Sequence, residues 1–143
     1  MRRSWLVTLL LLGACTGPVR SFNVYESKAG ATAESAASAV ETARLATDAA
    51  GGDKATGRYL TQILVEAEED AGAAQGVFDG IQPPDRRADE LRDQLDELLG
   101  EATDTLASLR IAARRGELAS LPRLAEPLAE VADKLHAFAE AHA

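Results

Sequence analysis

Residues 121–138 read LPRLAEPLAEVADKLHAF. Within them Leu121, Leu124, Leu128, Val131, Leu135 and Phe138 recur at alternating steps of three and four. That stepping puts every large apolar side chain on one stripe of a helix. Over several turns it is the heptad seam by which helices pack together. The stretch therefore predicts a helix that must bury one face against others. Ser120 is the expected cap, and Pro122 suits a first turn, where its missing amide would have no partner anyway. Pro127 cannot donate to the carbonyl of Arg123. A kink is expected there, or a helix whose regular part starts at Pro127.

The same stepping recurs upstream. Leu91, Leu95, Leu98, Ala102, Leu106, Leu109 and Ala113 predict a helix that starts near Asp85 and ends at Arg114-Arg115-Gly116. Arginines suit the negative end of the helix dipole, and a glycine after it can turn left-handed. Pro83-Pro84 separates this helix from the one before it. That earlier helix has the seam Leu60, Leu64, Ala67, Ala71, Ala74, Phe78, Ile81 and is expected after a cap at Asp53. A first helix is expected from Asn23, with Glu26 completing a capping box, to Gly51-Gly52. Its inward line is Ala29, Ala33, Ala36, Val40, Ala43, Thr47, Ala50, correctly spaced but made of small side chains that bury little area. No stretch alternates with period two. The reading is an all-α, up-down-up-down four-helix bundle. The alternative is a three-helix bundle with a loose first helix, because the large apolar residues lie after residue 58.

The N-terminus reads differently. Arg2 and Arg3 precede the apolar run Trp5–Leu12, and Leu12-Gly13-Ala14 precede Cys15, the single cysteine. The run is eight residues long, whereas crossing a bilayer takes about 20. A charged start, a short apolar core and small residues form a secretory signal. Leu12-Gly13-Ala14-Cys15 resembles the lipobox of bacterial lipoproteins. That resemblance implies cleavage before Cys15 and a diacylglyceryl group on its sulfur. Two acyl chains suffice for stable anchoring. With no second cysteine, no disulfide can form within the chain. The expected organisation is a signal peptide over 1–14, a lipidated N-terminus and short tether over 15–22, and a helical bundle over 23–143. Arg2-Arg3 also has some likeness to a twin-arginine signal, although nothing polar precedes the pair.

Removing residues 1–14 takes away Arg2 and Arg3 and no acid, leaving 23 acidic and 13 basic residues, a net charge of −10. Such a surface disfavours nucleic acid and anionic lipid, which call for a basic footprint.

Chemistry is sparsely signalled. Glu66 and Asp70 lie one turn apart beside the second seam, where two carboxylates can hold a hard cation. His136 lies beside Leu135 and Phe138, and a lone histidine in a bundle can ligate haem, yet no C-x-x-C-H motif accompanies it. His136 and His142 are six residues apart and face different ways. All three weak metal candidates, Glu66, Asp70 and His136, read more simply as solvated or peripheral side chains. No nucleophile elbow, phosphate loop or dinucleotide fingerprint occurs, so neither catalysis nor a cofactor is expected. Arg58-Tyr59, Gln82-Pro83-Pro84-Asp85 and Leu109-Arg110-Ile111 are candidate partner edges, since Tyr and Arg favour binding hot spots. The alternating charges of Asp85–Glu101 suit a solvated face or self-association.

The expected role is that of a protein anchored through Cys15 on the extracytoplasmic side of a bacterial membrane. Its acidic bundle would serve structure or protein interaction, with an envelope protein as partner and no nucleic acid. The alternative is a bundle that binds a ligand or metal in a cavity beside Ala67, Ala71 and Ala74.

Overall fold

A computed structural model describes residues 21–51 and 57–143. Leu12, Gly13, Ala14 and Cys15, expected to form a lipobox, and the expected cap Asp53 lie outside the described residues. Four helices follow one another: α1 Phe22–Gly51, α2 Gly57–Asp79, α3 Arg86–Arg114 and α4 Leu121–Ala141, with a 3-10 turn over Leu118–Ser120 leading into α4. They form an all-α up-down-up-down four-helix bundle. Among the described residues no helix is long and apolar enough to cross a membrane.

α3 forms where the periodicity places it, and its ends show why. Asp85 is extended, and its Oδ1 accepts from the Ala88 amide at 3.0 Å. This satisfies one of the amides that a helix start leaves without a partner. At the other end Gly116 takes φ 73°, the Gly116 amide donates to Ala113 and the Glu117 amide to Ala112. These two bonds close the last turn in a Schellman arrangement, which a residue with a β-carbon would strain. The inward line gains Ala88 and Ala112 and differs from the expected one at Leu98. Leu99 is fully buried, while Leu98 is half-buried and packs at the rim.

Two expected caps are not made. Asn23 lies within α1, which begins at Phe22, and the first turn closes by the Tyr25 amide donating to the Ser21 carbonyl. Glu26 is drawn to His142, just past α4, instead of back to its own backbone. Ser120 also fails as a cap, because the preceding 3-10 turn holds it in a helical conformation and its hydroxyl donates to the Glu117 carbonyl. α4 runs through Pro127 without restarting there. Arg123 and Pro127 are both exposed, so water can hydrate the carbonyl left without a donor.

The loose-first-helix alternative is wrong. α1 packs against α2, α3 and α4. It buries Tyr25, Ala29, Ala33, Ala36, Val40 and Ala43 completely, together with Ala37 and Ala39 on either side of the expected line. Small side chains are the reason. They let a helix axis approach three neighbours at once, so burial spreads round the helix although each alanine contributes little area. α1 and α3 span the short diagonal. Gly30 marks a close approach of α1 to the end of α4: a β-carbon there would lie 2.5 Å from the carbonyl oxygen of His142.

Candidate functional site

The core seams meet in one cluster that includes Tyr25, Phe78, Leu95, Leu106, Leu128 and Leu135. Polar side chains set the register around it. Arg110 makes a two-pronged pair with Glu68, tying α3 to α2. Lys134 bridges Glu101 of α3 at 3.2 Å and Glu130 of its own helix at 3.0 Å. His142 Nδ1, just past α4, lies 3.0 Å from Glu26 and His136 Nδ1 of α4 lies 3.4 Å from Glu34, so both histidines face glutamates of α1.

These contacts separate the sequence-nominated metal candidates. Glu66 is exposed and accepts from Gln62 Nε2 at 2.8 Å. Asp70 lines an open groove of about 810 Å³ between α1 and α2, opposite Lys28, Thr32 and Ser35. The hydroxyls of Thr32 and Ser35 donate back to the carbonyls of Lys28 and Ala31 and are engaged within α1. His136 faces Glu34, on neither element of the Glu66 and Asp70 pair. Among the described residues no three His, Cys, Asp or Glu side chains gather as a metal site. Ala67 and Ala71 pack into the core, and Ala74 belongs to the wall of the open groove.

A second polar group escaped the sequence reading. Tyr25 is fully buried, its ring 5.1 Å from that of Phe78. Its hydroxyl, Arg92 Nε and Asp96 Oδ1 are all buried without a hydrogen-bond partner. Arg92 closes the end of α2: its Nη2 donates to the carbonyls of Asp79 at 2.8 Å and Ile81 at 3.1 Å. Burial raises Tyr25 above the ordinary tyrosine value, against the pull of Arg92 and with Asp96, Asp89 and Asp79 adding to the rise. The phenol stays protonated at neutral pH. Burial also raises Asp96, helped by Asp79 and Asp93 and opposed by Arg92. Three orphaned polar atoms in one layer suit an ordered water better than a reaction. The signal was present in the spacing. Tyr25 lies four residues before Ala29 and extends the α1 line backwards by one turn.

Of the candidate partner edges, Arg58 and Tyr59 are exposed and Ile111 is 40% exposed, while Leu109 is core and Arg110 is engaged by Glu68. Pro83 and Pro84 are half-buried in the connection between α2 and α3. No protein-family model, curated protein or solved structure matches this chain.

Proposed function

We propose that this chain is a lipid-anchored protein of a bacterial cell envelope, its acidic helical bundle serving structure or protein interaction on the extracytoplasmic side without catalysis. One observation carries the reading: Leu12-Gly13-Ala14-Cys15 closes an eight-residue apolar run that follows Arg2-Arg3. The bundle supports it in a secondary way. α1 starts at Phe22, seven residues beyond Cys15, so a domain held by lipid on Cys15 would sit close to its membrane. Two cross-helix ion pairs, Glu68–Arg110 and Glu101–Lys134, tie the helices together.

The test is expression of the full chain and its Cys15→Ser variant in a bacterial host, with membrane fractionation and intact mass. The wild-type chain should sediment with membranes at the mass of residues 15–143 plus acyl groups. The variant should lose that mass and leave the membrane. Retention of a cleaved Cys15→Ser chain on membranes refutes the anchor. Crosslinking in intact cells should give discrete protein adducts. A metal, haem or small molecule retained in native mass spectrometry would overturn the interaction role and favour a ligand-binding bundle.

A further inference from the structure

Cationic side chains are distributed unevenly over this molecule. Arg44, Arg86 and Arg110 pair with carboxylates, Arg92 donates to backbone carbonyls, and Arg87 lies over the Phe22 ring at 3.7 Å. Arg58, Arg114, Arg115 and Arg123 are exposed and form no ion pair among the described residues. The topology collects all of them at one end. Arg58 opens α2, Arg114 and Arg115 close α3, and Arg123 lies in the first turn of α4, all at the end of the bundle away from Phe22. Among the described residues carboxylates stand at this end too, with Glu117 and Glu126 exposed there, yet neither pairs with any of these four arginines.

The same end shows apolar surface. Leu45, Ile111 and Leu118 are exposed by 60%, 40% and 42%. Arg58, Thr61 and Gln62 of α2 face Ala113, Arg114 and Leu118 across an open groove of about 440 Å³. Gly57 leaves room beside the groove. Its missing β-carbon would stand 3.2 Å from Leu118 Cδ1, so Leu118 can lie over the first turn of α2. Gly116, with its positive φ, turns the chain to bring Leu118 there.

We propose that this end of the bundle binds an acidic peptide segment of a protein partner. An apolar side chain of the partner would cover Leu118, and its carboxylates would take the guanidinium groups of Arg58 and Arg114. Planar guanidinium groups match carboxylates in two-pronged pairs, and arginine is enriched at binding hot spots. A long polyanion fits less well. Glu66 and Glu69 of α2 and Asp104 of α3 are exposed further along the flanking helices and would repel a backbone that ran past the groove. The proposal rests on the interaction role above and is independent of the lipid.

The test uses the full chain in neutral detergent and a short fluorescein-labelled peptide of Glu, Asp and Leu, read by anisotropy. Saturable binding is expected, weakened by added salt because the pairs lie at the surface. The double variant Arg58→Glu/Arg114→Glu should bind at least about tenfold more weakly. Leu118→Ser should weaken binding about fivefold. Lys28→Glu, at the other end, should leave it unchanged. Circular dichroism checks that the double variant keeps its helices, and Arg58→Gln/Arg114→Gln replaces it if it does not. Absence of saturable binding overturns the proposal, as does equal loss in Lys28→Glu. So does tighter binding of a DNA oligonucleotide or of phosphatidylglycerol vesicles than of the peptide. Protein adducts in cells through another face, without peptide binding, would remove this groove and leave the interaction role standing.

Discussion

Arg92 and Asp96 stand one turn apart on α3, and both bury polar atoms at the end of α2. Arg92 finds carbonyl partners there, whereas Asp96 leaves one carboxylate oxygen buried and bare. An unpaired buried charge favours its neutral form. Asp96 is therefore held above the ordinary aspartate value of 3.8, by burial first and the charge of Asp79 next. The folded chain binds this proton more tightly than the unfolded chain does. Asp96 thus weakens the fold at neutral pH, and the penalty is relieved as pH falls through the raised value towards 3.8. Asp96→Asn should stabilise the protein in urea unfolding at pH 7. That gain should shrink towards nothing below about pH 4. An equal gain at both pH values would mean that shape and not charge decides the site. The buried, unpartnered hydroxyl of Tyr25 has the same origin: a side chain whose apolar ring packs on Phe78 carries its oxygen in with it.

At the scale of the helix, periodicity located α2, α3 and α4 but missed by one residue twice, at Leu98 in α3 and at Leu124 in α4, which is half-buried while Ala125 is buried. A seam of threes and fours passes equally well through Leu98 or Leu99, because both lie close to the inner face. Tertiary packing selected Leu99, which is fully buried. Leu99→Ala should therefore cost about 2–5 kcal/mol in chemical denaturation, the usual range for a fully buried leucine. Leu98→Ala should cost less than half as much. The reverse order would restore the seam as read from spacing. Helix ends were less legible than helix bodies. Asp85 and Gly116 act as their residue types suggest. Asn23 and Ser120 do not, because a cap competes with whatever else the fold offers that residue. Glu26 has His142 within reach, and Ser120 is already held by a 3-10 turn.

At the scale of the whole molecule, α1 is the surprise and Gly30 its clearest mark. The backbone of α4 lies so near that a methyl group at Gly30 would meet the His142 carbonyl at 2.5 Å. A backbone atom cannot step aside as a side-chain tip can. Gly30→Ala should lift the last turn of α4 from α1 and break the contact between His142 and Glu26. The expected loss is about 1 kcal/mol, since a chain end can yield. Faster amide exchange confined to residues near His142 is the accompanying sign. An unchanged melting temperature and unchanged exchange would place α4 further from α1. By itself the sequence determined that the described chain is helical, where most helices lie and which line each turns inward, because periodicity and breakers such as Pro83-Pro84 act within a few residues. It also carries Leu12-Gly13-Ala14-Cys15, the linear pattern on which the proposed anchor rests. Only the tertiary structure decided that an alanine-rich helix lies against three others, that His142 meets Glu26 across 116 positions, and that the unpaired arginines gather at one end. Those outcomes depend on how closely helix axes approach and on which ends the antiparallel turns bring together, and no local spacing encodes either.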